Sequence, residues 1–241
     1  TYFEFLADFN ELKKQKGSDG SFVFGKFYPI FSDKYEEGGT AKGDYFHQDL
    51  LVARRIFENK PEKHIDVGSR VDGFVAHVAS FREIHVIDIR ELDNKTKNIV
   101  FLQQNYMANL KEGLIESCDS LSCLHALEHF GLGRYGDPIN YNGHIIGLDN
   151  LYKTLKVGGK FYLSVPCGMP QRIQFHAHRI FTIKYLLKLF ENKYRIDHFS
   201  YVDFKGDLRE DVTLDENGIE TNFSLEHRQQ YILAIFEMTK L

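Results

Sequence analysis

The sequence predicts an α/β fold: a doubly wound, Rossmann-like sheet of seven strands with an antiparallel edge strand, preceded by an N-terminal helical and aromatic extension. Three observations predict it. Between His64 and Arg90 the chain reads as strand, glycine turn, short helix and a second strand ending on an acid, HIDVGSRVDGFVAHVASFREIHVIDIR. Strand-length apolar runs then alternate with helical patterns as far as about Phe190. Finally, two further strand-like runs close the chain, the last being YILAIFEM. Alternation of this kind builds a parallel sheet with helices on both faces, and a terminal strand pair adds an antiparallel edge.

Taken in order, Tyr2 to Lys16 places Phe3, Leu6, Phe9 and Leu12 at helical spacing, and Gly17-Ser18-Asp19-Gly20 ends that helix. Ser21 to Phe31 is aromatic and extended, as a small hairpin or an extended cover, and Asp33 to Gly43 reads as a flexible loop. Residues 1–43 are therefore expected to form an N-terminal extension or lid, and residues 44–241 the main domain. With Asp44 as N-cap, Phe46, Leu50, Ala53 and Phe57 mark one face of a helix running to about Glu58. His64 to Val67 is the first strand. Asp72-Gly73 caps a short helix containing Phe74, Val75 and Val78, and Ile84 to Asp88 is the second strand. Asn98 to Gln103 and Cys118 to Leu124 follow as the third and fourth. A helix with Ile145, Leu148, Leu151 and Leu155 on one face stops at Gly158-Gly159, before a fifth strand from Lys160 to Val165 that Pro166 ends. Thr182 caps a helix that turns Ile183, Leu186, Leu187 and Phe190 inward. Two last strands, Tyr194 to Phe204 and Gln230 to Met238, enclose an acidic insertion expected to be mobile.

Composition removes several classes of function. With 241 residues and 43% apolar content the chain buries a full core, and its net charge of −4 gives no global field toward a polyanion, so nucleic acid is not an expected partner. Cys118, Cys123 and Cys167 are too few and too scattered for a disulfide framework and read as buried thiols in a reducing compartment. No run approaches the roughly 20 apolar residues of a membrane span and no signal-peptide pattern opens the chain, so a cytoplasmic protein without a membrane partner is expected.

Asp66, inside the first strand, narrows the ligand. A carboxylate there would repel the pyrophosphate of a dinucleotide, whereas a nucleoside carrying a cationic amino-acid tail suits it. Asp66-Val67-Gly68-Ser69-Arg70-Val71-Asp72-Gly73 resembles the first motif, acid-x-Gly-x-Gly-x-Gly, of the class I methyltransferases that use S-adenosylmethionine (SAM). The acid and first glycine match, Arg70 stands at the second glycine, and the last is displaced by one to Gly73. Further likenesses follow in the family's order. Asp88 stands at the ribose-binding acid, Phe101 to Asn105 resembles the third strand with the polar residue that meets adenine, and Ala126-Leu127-Glu128-His129 resembles the turn after the fourth strand. Leu155 to Phe161 resembles the link before the fifth strand, and YILAIFEM the reversed seventh strand.

The chain resembles still more closely a methyltransferase subfamily filed as a domain of unknown function and associated with cell-surface polysaccharide genes. Its hallmarks here are Tyr45-Phe46-His47-Gln48-Asp49-Leu50, His64 to Phe74, Leu127 to Pro138, and His178-Arg179. This resemblance implies a SAM-dependent methyltransferase, expected to O-methylate a small sugar-derived acceptor such as a nucleotide sugar or polysaccharide precursor. Methyl transfer from a sulfonium is an in-line displacement, so the protein's share is to position the acceptor and remove its proton.

His129 is the first choice for base, oriented by Glu128 or His125, with His178 as a further catalytic candidate. The cofactor is expected to meet Gln48, Asp66, Gly68, Ser69, Arg70, Gly73, Asp88, Asn105 and His125, with Gln48 covering its methionine end. Arg134, Arg172 and Arg179 are the expected acceptor-binding residues and suggest an anionic sugar nucleotide, because guanidinium pairs bidentately with phosphate. Each has a plainer reading beside it. His125 satisfies a backbone group, Glu128 caps a turn or holds His129, His178 pairs with Asp137 to fix a loop, and Arg134 and Arg179 are solvated surface charges.

Other chemistries stay in view. An N- or carboxyl-methyltransferase of another small molecule would need no histidine base. His125-Ala126-Leu127-Glu128-His129 also fits the H-x-x-E-H zinc-hydrolase pattern, with His176 and His178 as extra ligands, provided that it lies on a helix. A non-catalytic partner protein of the same fold is a third reading. No metal is predicted, although Asp137 with Asp149 or Glu128 are the carboxylates that would hold a divalent ion if one were used. A homo-oligomer is compatible with the sequence, which sets no subunit number.

Overall fold

A computed structural model describes residues 1–93, 95–214 and 231–241, so most of the acidic insertion and its expected mobility lie outside the described residues. The chain divides into two compact units, Thr1–Ala41 and Lys42–Leu241.

In the first unit, α1 (Tyr2–Lys16) starts with a capping box, in which the Thr1 hydroxyl accepts from the Glu4 amide and the Glu4 carboxylate answers the Thr1 amine. Gly17, at φ 54°, ends it. No α1 side chain is fully buried. Phe5 meets Phe27 and Phe31 edge-on, and Phe9 meets Phe24 and Phe27, so the aromatic segment folds back onto its own helix. Of the two forms expected for Ser21 to Phe31, the hairpin does not form: the segment has no strand, and its rings are satisfied by α1.

The second unit opens with α2 (Asp44–Asn59), whose N-cap is Gly43, not Asp44. Its inward face is also rotated from the predicted one. Gln48, Asp49, Leu51, Val52, Ala53 and Ile56 are buried, while Phe46, Leu50 and Phe57 are exposed. Apolar spacing alone points to the wrong stripe because Gln48 and Asp49 turn inward to bond each other, and Gln48 also accepts from the Ser164 hydroxyl.

The chain continues through β1 (His64–Val67), a π-helical turn over Val71–Val75, α3 (Ala76–Ala79), β2 (Ile84–Asp88), β3 (Ile99–Gln103) and β4 (Cys118–Leu124). Then come α4 (Gly143–Thr154), β5 (Leu155–Cys167), a hairpin of β6 (Arg172–Gln174) and β7 (His178–Ile180), and α5 (Ile183–Phe190). β8 (Tyr194–Val202), β9 (Leu208–Arg209) and β10 (Ile232–Lys240) complete it. The main sheet has the order β3-β2-β1-β4-β5-β10-β8-β9, and β6-β7 forms a second, two-stranded sheet. β3, β2, β1, β4 and β5 pair in parallel, and β10 runs antiparallel between β5 and β8. This is the expected doubly wound sheet with its reversed strand, extended by the short β9.

Period-two alternation gives the sheet two buried faces. Phe161, Leu163 and Val165 of β5 pack with Phe236 and Met238 of β10 under α4 and α5 on one side; Tyr162, Leu233 and Ile235 pack toward α2 and α3 on the other. Cys118, Cys123 and Cys167 are buried free thiols. Two predicted boundaries move. Leu155 leaves the helix to begin β5, and Pro166 lies within that strand, paired with Leu233. β4 ends opposite Ser164, so no strand on that side needs the N–H that proline lacks. Among the described residues no helix is long and apolar enough to cross a membrane.

Candidate active site

The carboxyl ends of β1, β2 and β4 open into one cleft of two compartments, the place where a doubly wound sheet presents ligand-binding groups. The inner compartment, with the solvent it opens onto, spans about 530 Å³ between Gly68, Asp88, Asn105, Met107, His129 and Phe130. Gly68, Asp88, Arg90, His125 and Tyr135 also line the outer one of about 1000 Å³, with Tyr45, Ser69 and Arg70.

Beneath the cleft lies a buried polar chain. Asp66 accepts from the Ser69 amide at 3.1 Å, the Ser69 hydroxyl at 2.6 Å and the Ser122 hydroxyl at 2.5 Å. Because Ser122 donates to Asp66, it accepts from His64 Nε2 at 3.0 Å, which leaves His64 Nδ1 to accept from Ser120 at 2.7 Å. Burial keeps His64 neutral, its pKa pushed down to about 3, and raises Asp66 to about 6 against the opposing pull of its serine donors. Asp66 thus shapes the glycine turn from below. Gly68 stands at φ 77°, which favours glycine, and an added Cβ would lie 2.9 Å from that of Ala126.

Other residues of the predicted motif serve different ends. An added Cβ at Gly73 would meet Asp49 Oδ2 at 2.5 Å, so its lack of a side chain admits α2, not a ligand. Asp72 does not cap the helix; Arg70 precedes the π turn, pairs with Asp72 at 3.0 Å and lies 4.8 Å above the Tyr45 ring. Gln48 lines neither compartment. It acts from below through Ser164, whose hydroxyl accepts from the His125 amide.

At the end of β2, Asp88 accepts from the Arg90 amide at 2.8 Å and from Arg90 Nε and Nη2 at 3.0 and 2.8 Å. The Arg90 guanidinium lies 4.5 Å from the Tyr135 ring centre across the cleft. Arg90 is not among the site residues expected from sequence, although a cation two residues after a strand-end acid signals such a clasp. Asn105 lines the inner compartment while its Oδ1 accepts from the Met107 amide at 2.8 Å, shaping the turn.

The histidines gather after β4. His125 adopts φ 53°, donates from Nδ1 to Glu128 Oε1 at 2.8 Å, faces Asp44 at 3.8 Å and lies with its ring tilted 5.0 Å from that of Tyr45. Burial opposes its charge, but the carboxylates of Asp44 nearby and of Glu128, to which it is bonded, prevail and raise its pKa to about 9. Glu128 is fully buried, which favours its neutral form, yet the His125 bond holds its pKa below the ordinary value. The pair is therefore ionic at neutral pH. His129, on a single 3₁₀ turn (Leu127–His129), gives Nδ1 to the Ala177 carbonyl at 2.6 Å, and its Nε2 lies 3.6 Å from Glu128 Oε1. Burial lowers its pKa more than Glu128 raises it. This strand-end and 3₁₀ geometry does not give the H-x-x-E-H residues the helix that zinc chemistry requires, and among the described residues no metal-holding cluster of three ligands occurs.

The three acceptor arginines separate. Arg179 is buried, with Nη1 on the Glu128 and Phe130 carbonyls at 3.3 and 2.6 Å and Nη2 on those of Asn140 and Tyr141 at 3.4 and 3.1 Å. Its guanidinium is a strut in the fold, neither a solvated charge nor a group exposed to an acceptor. Arg172 donates to the Pro170 carbonyl on the hairpin and lines neither compartment. Arg134 donates to the Ala177 carbonyl at 3.1 Å and lies 5.2 Å from the Tyr135 ring centre, beside the cleft. His178 lies 6.3 Å from the His129 ring and edge-on to Tyr231; Asp137 instead staples its own loop through the amides of Gly131, Gly133 and Tyr135. Asp149 pairs with Lys193.

Fold and cleft position together define a class I methyltransferase fold. NodS, an N-methyltransferase from Bradyrhizobium japonicum solved with S-adenosylhomocysteine, is 10% identical with a TM-score of 0.50 over 81% of this chain and 88% of its own. Phosphoethanolamine N-methyltransferase 2 from Haemonchus contortus, solved with SAM, is 13% identical with a TM-score of 0.52 over 81% and 52%. The [4+2]-cyclase SpnF is 13% identical with a TM-score of 0.56 over 80% of each chain. No curated protein matches by sequence. Residues 75–235 match the profile of the family described as "Caenorhabditis protein of unknown function, DUF268", and the chain belongs to that family.

Proposed function

We propose that this protein is a SAM-dependent methyltransferase that O-methylates a small sugar-derived acceptor, a nucleotide sugar or polysaccharide precursor, with His129 as base. One observation carries the reading. The Ala177 carbonyl only accepts, so His129 Nδ1 holds the ring proton and Nε2 keeps its lone pair beside the cleft. Burial favours the neutral ring.

The residues present fit the cofactor. Asp66 and Ser69 fix the glycine turn, Asp88 offers a carboxylate to ribose hydroxyls, and Ile87, Met107 and Phe130 give the inner compartment apolar walls for a nucleobase. When bound, SAM supplies an electrophilic methyl group. His129 Nε2 takes the proton of the acceptor hydroxyl, and the Glu128 carboxylate at 3.6 Å stabilises the resulting imidazolium. Arg134, 5.2 Å from the ring of the cleft residue Tyr135, would meet an anionic acceptor.

Calorimetric titration with SAM and S-adenosylhomocysteine tests the cofactor. Micromolar binding is expected, weakened at least ~10-fold by Asp88→Ala through loss of charged hydrogen bonds; no binding of either compound would sink the reading. An acceptor screen among sugar nucleotides then supplies the assay for His129→Ala. Turnover should fall about 10²- to 10⁴-fold with SAM affinity kept. Unchanged turnover would remove the base and favour N- or carboxyl-methylation.

A further inference from the structure

The β6–β7 hairpin reaches His129 from two directions. It is itself fixed to the end of β5, where the Phe181 amide donates to the Pro166 carbonyl at 3.0 Å and the Gly168 amide to the Phe181 carbonyl at 2.8 Å. From this anchored base the Ala177 carbonyl accepts the hydrogen bond of His129 Nδ1–H, and Arg179 gathers the carbonyls of Glu128 and Phe130, the residues on either side of His129. The other guanidinium nitrogen holds Asn140 and Tyr141, where the loop returns to α4. Among the described residues no carboxylate is bonded to Arg179. A buried cation answered only by backbone carbonyls has one evident effect, to fix the path of that backbone.

We propose that Arg179 is a positioning residue for His129, and that the hairpin sets the tautomer of the base by holding the imidazole against the Ala177 carbonyl. The inference rests on the reading of His129 as the base, and predicts its microscopic state. With Arg179 in place the 127–130 turn is pinned, Nδ1 stays protonated and Nε2 is the only ring nitrogen able to receive a proton. Once Arg179 is lost, the carbonyls of Glu128 and Phe130 lose their shared donor, the turn rotates, and the ring samples the tautomer with Nε2 protonated, which accepts nothing at the cleft.

The test joins nitrogen-15 NMR of the histidine rings to kinetics, in the wild type, Arg179→Lys and Arg179→Met. In the wild type the His129 resonances, assigned by their disappearance in His129→Ala, should show a protonated Nδ1 and an unprotonated Nε2. Finding the opposite tautomer overturns the proposal, even if neither variant folds. In Arg179→Met the two tautomers should mix, kcat should fall about 10- to 100-fold, as for other partners that orient a reacting group, and the acceptor KM should change little. The acid limb of the kcat–pH profile should also move down, because the ring spends time without the Ala177 bond that supports its protonated form. Arg179→Lys keeps the charge but not the fork and should fall between. A folded Arg179→Met that retains the wild-type tautomer and pH profile while only its stability drops would reduce Arg179 to a structural tie. If His129→Ala leaves turnover intact, the base reading fails, whereas the NMR result still decides what the hairpin does to the ring.

Discussion

His125 and Glu128 are ionic in a place where burial opposes both charges, so each persists because of the other. The consequence for stability has a definite sign. The folded-state pKa of His125, about 9, lies above the ordinary 6.5, so its contribution is fully present below the ordinary value and is lost as pH rises through about 9. Glu128 is shifted the other way; its contribution is present above 4.5 and lost as pH falls. Thermal melts should therefore decline on the alkaline side, and His125→Gln should flatten that decline while costing about 3–5 kcal/mol at pH 7, because it leaves a buried carboxylate unpaired. An identical alkaline limb in the variant would assign the decline to other groups. Side chains close in sequence, such as His125, Glu128 and His129, were legible as a group from their spacing. Arg179 and Asp44 were not, since their partners lie across the fold: Arg179 looks like any cation beside a histidine until four carbonyls converge on it. Gly73 was legible as a residue that must be small, but the neighbour requiring this is Asp49, not a ligand.

Among the elements, α4 carries a constraint that its sequence pattern conceals. Gly143 and Gly147 lie four residues apart on one face of the helix, and both meet the segment that follows His129. An added Cβ at Gly147 would stand 2.3 Å from Phe130 Cδ2, and one at Gly143 would stand 2.6 Å from the Phe130 carbonyl oxygen. Alanine normally gains about 1 kcal/mol over glycine inside a helix, whereas overpacking costs about 1–3 kcal/mol. Close approach should win. Gly147→Ala is expected to lose about 1 kcal/mol and Gly143→Ala more, because a backbone oxygen yields less readily than a ring, as read from urea midpoints. A gain at both sites would show that the loop moves aside without cost. Strand elements were well marked in the sequence because each is a short apolar run bounded by a polar turn. The face of α2 was misread, since its Phe46, Leu50 and Phe57 stripe is exposed while two polar residues turn inward on buried partners. Periodicity registers hydrophobicity, not the hydrogen bonds that bring a glutamine inside.

At the scale of the whole molecule, the fold establishes where chemistry happens more firmly than which chemistry it is. A [4+2]-cyclase and N-methyltransferases both share this architecture at low identity, so the order of strands was legible while the reaction had to be argued from His129 and its surroundings. The same separation applies to the two units. Both hydrophobic clusters of the sheet are built from residues between Leu51 and Met238, and no α1 side chain is fully buried. We propose that residues 42–241 fold and bind cofactor without the N-terminal unit. A chain beginning at Lys42 should keep its melting temperature within about 4 °C, the shift that roughly 1 kcal/mol produces in a domain of this size, and should keep its SAM affinity. Loss of the cooperative transition would show that the division is not energetic. With folding and cofactor binding intact, kcat/KM for the acceptor separates the remaining roles. A fall confined to that ratio makes the aromatic segment of Ser21 to Phe31 a lid that closes on the acceptor, whereas an unchanged ratio leaves it an extension with no part in turnover.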